Sequence, residues 1–154
     1  HSFPTRRSSD LIMWGFIIAL ISGALMSIQG VFNTKVTESS SMWVANSWVQ
    51  FTALIVCIIA WFVTGRESMT AIFNVEHKYM LLGGTIGAVI TWTVIKSMDN
   101  LGPAQAVLII VISQIVVAYL IEVFGIFGVE KVPFEWSKLV GVVLAVVGIF
   151  IFKK

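Results

Sequence analysis

Five long apolar runs separated by short polar segments set the pattern of this chain. They lie at Leu11 to about Phe32, about Met42 to Val63, about Tyr79 to Ile95, Pro103 to Phe124, and Leu139 to Phe152. A helix needs about 20 residues to cross the hydrocarbon core of a bilayer, with roughly 17 as the lower bound. The third run sits at that bound, and the fifth is short unless residues from Glu135 onward extend it. Backbone polar groups have to pair within the segment at that depth, which a helix achieves. The expected fold is therefore all-α: a polytopic integral membrane protein with five transmembrane helices. Pro103 stands where a first helical turn accepts proline, and Gly65, Gly102 and Gly128 mark ends or turns.

Composition agrees. Of 154 residues, 58% are hydrophobic and 12% charged, against about 25% charged in a soluble domain. A net charge of +2, with no basic stripe among interleaved aromatics, excludes nucleic acid as a partner. One cysteine, Cys57, allows no intrachain disulfide and no cysteine metal site. The two histidines, His1 and His77, lie outside the apolar runs, so no histidine metal cluster and no cofactor is expected. The opening string HSFPTRRSSD resembles the in-frame translation of a common sequencing adapter. Residues 1–10 are read as a non-native leader, with a genuine short basic tail as the alternative, and 11–154 as a single five-helix domain.

The connections alternate sides. Asn33–Ser41, Ser97–Gly102 and the C-terminal tail share one side; Arg66–Lys78 and Gly125–Lys138 share the other. Without the leader, Lys35, Lys96, Lys153 and Lys154 on the first side face Arg66, Lys78, Lys131 and Lys138 on the second. Orientation follows Lys/Arg asymmetry, and here there is none. Either one strong loop decides, or copies insert both ways and pair antiparallel.

Few polar residues lie inside the runs. Ser22, Met26, Gln29 and Asn33 form one stripe of the first helix, beside the small residues Gly23, Ser27 and Gly30. Gln29 and Asn33 suit hydrogen bonds to a substrate or to a neighbouring helix. Asn46 and Gln50 in the second helix need partners, because an unpaired amide in hydrocarbon costs several kcal/mol. Trp43 and Trp61 fit an aromatic belt. In the third helix Gly83, Gly87 and Thr91 form a packing face, and Trp92 walls a cavity or simply packs. Gln114 and Glu122 share a face of the fourth helix, about 12 Å apart along its axis. Glu122 reads either as a proton-carrying or cation-pairing carboxylate or as an interfacial charge paired with Lys131 or water. The amides gather toward the side holding Asn33, a pattern that suits a hydrated vestibule for a polar or amphiphilic small molecule. No acid pair, Ser–His or Cys–His set, or metal-ligand spacing lies within the spans, so an enzyme is not expected.

From about Ile17 onward the chain resembles the drug/metabolite transporter superfamily, specifically its short five-helix branch long catalogued as a domain of unknown function. The resemblance rests on GALMSIQGVFNTKV with Gln29 and Asn33, on LGG-x-x-G at Leu82–Gly87, and on LGPAQA at the entry to the fourth helix. It rests also on SQIVVAYLIEVFGIFG at Ser113–Gly128, with Gln114, Glu122, Phe124 and Gly125, and on the closing LVGVVLAVVGIFIF. Asp is common where this chain has Glu122. The resemblance implies a bacterial inner-membrane protein and one half of a ten-helix inverted-repeat architecture, completed by an antiparallel copy or a paralogous five-helix partner. In such assemblies the site lies at the repeat interface near the midplane. The four-helix exporters of the superfamily carry an acidic residue within their first helix; this chain has none there, so their proton exchange mechanism does not transfer.

The reading that follows is a secondary transporter of a small organic metabolite or drug-like compound. It would work as a dimer by alternating access around Gln29, Asn33, Asn46, Gln50, Trp92 and Gln114, with Glu122 as the coupling candidate. The rival is a non-transporting membrane scaffold or accessory subunit. Replacing Gln50 or Gln114 by Leu separates the two: it abolishes transport under the first and disturbs only assembly under the second.

Overall fold

A backbone amide in hydrocarbon has no water to bond, so an apolar run must close its hydrogen bonds on itself. The computed structural model describes residues 3–153 and meets that demand five times. Its helices are α1 (Phe3–Ser39), α2 (Met42–Thr64), α3 (Gly83–Leu101), α4 (Pro103–Phe124) and α5 (Trp136–Lys153). All five elements are long and apolar enough to cross a membrane, α3 when counted with the short 3-10 helix Lys78–Leu82 that leads into it. The expected all-α, five-helix membrane fold is what the chain adopts. The chain forms two compact units, one up to Lys96 and one from Ser97, and α3 passes from the first into the second.

In the first unit α1 is longer than its apolar run. It continues through Asn33–Ser39, where a polar loop was expected, because the polar side chains there are satisfied on the helix itself. Thr34 and Thr37 hydroxyls donate to the carbonyls of Gly30 and Asn33, each at 2.8 Å, and Ser40 to that of Val36 at 2.7 Å. Lys35 and Glu38 add an ion pair at 3.3 Å. At its other end α1 takes in residues 3–10; residues 1 and 2, like Lys154 at the far terminus, lie outside the described residues. Only Ser40 and Ser41 separate α1 from α2, so the two run as an antiparallel hairpin and pack together. Ser41 caps α2 by accepting the Val44 N–H at 3.4 Å. Beyond α2, the indole N–H of Trp61 donates to the Glu67 carbonyl at 2.6 Å. The stretch MTAIF then folds into a second short 3-10 helix, Met69–Asn74, and the Lys78 ammonium donates to the Phe73 carbonyl.

In the second unit α4 and α5 form the other hairpin. Gly102, at φ 84°, breaks the chain before Pro103 opens α4, and Gly125, at φ 63°, closes it in the left-handed conformation with its N–H on the Ile121 carbonyl. The connection is tied back by the Val132 N–H on the Glu122 carbonyl at 3.0 Å and the Glu135 N–H on the Tyr119 hydroxyl at 2.9 Å. The α5 helix begins at Trp136, which lengthens the fifth run to 18 residues, about 27 Å of helix.

Little is buried. Among apolar residues Ala45, Ile95, Met98, Ala106 and Ile112 are, and among polar ones Asn33 and Asn46. No more than 6% of the most apolar stretch of any span is buried. The small-residue faces are uncovered too: a methyl group added at Gly23, Gly83, Gly87, Gly141 or Gly148 meets no atom within 4 Å. At these positions no described atom packs closely enough to meet an added methyl group.

Candidate functional site

Asn46 lies four residues into α2 and is 2% exposed, so its amide has to be satisfied by protein. Its Nδ2 donates to the Ala88 carbonyl of α3 at 2.8 Å. The Gln50 Nε2 donates to Asn46 Oδ1 at 3.1 Å and to the Thr91 hydroxyl at 3.2 Å, and Thr91 donates to the Gly87 carbonyl at 3.0 Å. These side chains fasten α2 to the first half of α3 rather than to its Lys96–Asn100 end. Thr91, one turn from Gly87, was legible only as part of a packing face; its role as a bridging hydroxyl was not. A hydroxyl carries two lone pairs and a rotating proton, which lets it accept from Gln50 while donating to its own helix.

Asn33 is different. It is 9% exposed, near the C-terminal end of α1, and its carbonyl takes the Thr37 hydroxyl. Among the described residues its side-chain amide has no hydrogen-bond partner, and it lines an open groove of about 540 Å³ along one face of α1. Gln29 and Ser22 line the same groove, with Met26 between them and Ile21, Leu25 and Phe32 as apolar wall. The expected stripe of Ser22, Met26, Gln29 and Asn33 is therefore a single surface, carrying two amides without a partner among the described residues, and no charge.

Trp92 is half-buried on α3, next in sequence to Thr91, and its indole N–H bonds no described residue. In the second unit Gln114 is exposed and likewise without a described partner. It does not line the cleft of about 260 Å³ that α4 and α5 enclose with Ile112, Ile115, Tyr119, Ser137, Lys138 and Gly141. Glu122 is exposed in the last turn of α4. Its carboxylate makes no ion pair among the described residues; the stem of Lys131 lies instead against Gly125, 3.1 Å from where a Cβ there would sit.

The groups on offer recognise a ligand by hydrogen bonding. Amides, a hydroxyl and an indole N–H stand on apolar helices, and among the described residues no group of His, Cys, Asp and Glu is placed to hold a metal ion. A family model described as "Putative inner membrane exporter, YdcZ", of drug/metabolite transporter type, matches residues 14–151. No curated protein and no solved structure matches the chain. The matched stretch runs from within α1 to near the end of α5, and takes in the groove amides, the α2–α3 fastening and Glu122. With five helices fit to cross the bilayer and a match over nearly its whole length, the chain belongs to this family of inner-membrane exporters, a multi-pass transporter branch related to the drug/metabolite transporter superfamily.

Proposed function

We propose that this transporter exports a small, uncharged or weakly charged organic compound, and that it does so as a dimer by alternating access. Two five-helix chains of opposite orientation, either two copies or this chain and a paralogue, complete a ten-helix inverted repeat around a midplane cavity. Asn33 carries the reading. Its amide has no described partner and is accessible from the groove that it shares with Gln29, so it is available to a ligand. An amide pair offers both donors and acceptors, and the groove has no carboxylate or ammonium to select a fixed charge. In this reading Trp92 and the exposed edge of Gln50 are further substrate contacts of the first unit, and Gln114 is one of the second. Asn46 acts there by holding α2 to α3, and Glu122 is the candidate for coupling to a proton or a cation.

Cells that express the chain are compared with cells expressing Asn33→Leu and Gln29→Leu, with untargeted profiling of small molecules in the medium. The expected result is a compound enriched by the unaltered chain and reduced roughly tenfold by each variant at equal membrane abundance, the scale of one substrate hydrogen bond. Export by Asn33→Leu at the unaltered rate would overturn the assignment and favour the accessory-subunit reading.

A further inference from the structure

The cleft between α4 and α5 belongs to none of the residues assigned to export. Its polar end is formed by Tyr119, Ser137 and Lys138, beside the connection between the two helices, and Ile112 and Ile115 continue it along α4. Tyr119, Phe134 and Trp136 cluster at that end, with ring centroids 6.3 Å apart for the first pair and 5.3 Å for the second. Aromatic clusters of this kind sit at headgroup depth. From Tyr119 the cleft follows α4 inward to Ile112, about 10 Å at helical rise, a third of a hydrocarbon core of about 30 Å. An occupant of this cleft is polar at headgroup depth and apolar below it.

The charge at the mouth narrows the headgroup. Lys138 lines the cleft, and Glu135, one turn away, follows directly on Phe134 of the aromatic cluster. Among the described residues neither side chain is in an ion pair. A cation beside an anion matches a zwitterion better than a headgroup of surplus negative charge, and a primary ammonium, unlike a trimethylated one, has N–H groups to donate to a carboxylate. We propose that the cleft seats one acyl chain of an ethanolamine phospholipid, with its phosphate on Lys138 and Ser137 and its primary ammonium on Glu135. The proposal stands independently of the export reading.

The full chain is released from nanodiscs containing equal parts of ethanolamine, glycerol and choline phospholipids, and native mass spectrometry counts the lipids that it keeps. The expected result is one ethanolamine phospholipid per chain, with retention lowered about fivefold by Lys138→Gln, the loss of one surface cation. Gly141→Leu fills the cleft at a position where a Cβ meets no atom within 4 Å, and is expected to abolish retention with helical content unchanged. Ala145→Phe, on the same wall, gives the same test if Gly141→Leu does not fold. Equal retention of the three headgroups, or preference for the glycerol lipid, overturns the headgroup pairing. Full retention by the cleft-filling variant overturns the cleft as the seat. Binding of inorganic phosphate alone, with lipid displaced, overturns the role of the acyl chain.

Discussion

Two asparagines of the first unit are both buried, yet their amides do different things. Asn46 donates to the Ala88 carbonyl and accepts from Gln50, while Asn33 has no described partner for its amide. Asn46→Leu therefore removes the bond to the Ala88 carbonyl and the one from Gln50, and leaves Gln50–Thr91 as the side-chain bond between α2 and α3. Interhelical hydrogen bonds in membranes average about 0.6 kcal/mol and reach about 1.7; a loss of about 1 kcal/mol is expected here, because one interhelical bond goes together with one inside α2. Asn33→Leu breaks no described side-chain bond and is expected to leave stability within about 0.5 kcal/mol of the unaltered chain. Thermal unfolding of the two variants in the same detergent checks this: equal losses would mean that Asn33 is structural glue after all. Gln50→Leu cannot separate transport from assembly as the sequence suggested, since Gln50 bonds both Asn46 and Thr91. Gln114, without such partners, still can.

At the scale of the element, the sequence was most legible where backbone chemistry fixes a boundary. The limits of α4 were readable to the residue because Gly102 and Pro103 open it and the residue after Phe124 is a glycine. The left-handed conformation of Gly125 yields a direct test. Gly125→Ala places a Cβ 3.1 Å from that of Lys131 at φ 63°, and is expected to cost about 1–2 kcal/mol. Faster proteolysis of the 126–135 connection, at unchanged cleavage of the loop after α2, is the measurement. The C-terminal end of α1 was not legible. Asn33–Ser39 is polar and Ser-rich in composition, which reads as a loop, but its hydroxyls bond back to carbonyls one turn earlier and keep the helix going. Composition reports what a segment would expose to water, not whether its side chains can close bonds on their own helix. The candidate site was legible in part for the same reason. Residue type singled out the deep amides, but only tertiary geometry separates Asn46, which is engaged, from Asn33, which is free.

At the scale of the whole molecule, each of the two units leaves large apolar side chains exposed along its helices and its glycine positions bare, surface that lipid or a second chain has to cover. Which of the two covers it depends on orientation, and, counted from Leu11 onward and so without Arg6 and Arg7, the Lys/Arg balance across the connections is even at four on each side. A chain with no charge bias has no electrostatic reason to insert one way. Ser40 in the α1–α2 turn and Ser68 after α2 are both exposed and lie at opposite ends of α2. Ser40→Cys and Ser68→Cys, each made alone in a Cys57→Ser background, are expected to react with a membrane-impermeant maleimide from both faces of the membrane. Two-sided labelling makes the antiparallel pair of identical chains the working unit, so reconstituted export then needs this protein alone. Labelling of each cysteine from a single face would instead mean that one connection outweighs the others, and that the inverted partner is a different chain. In that case the bare face of α3 at Gly83 and Gly87 is where that partner's helix is expected to pack, since a backbone can approach closely there.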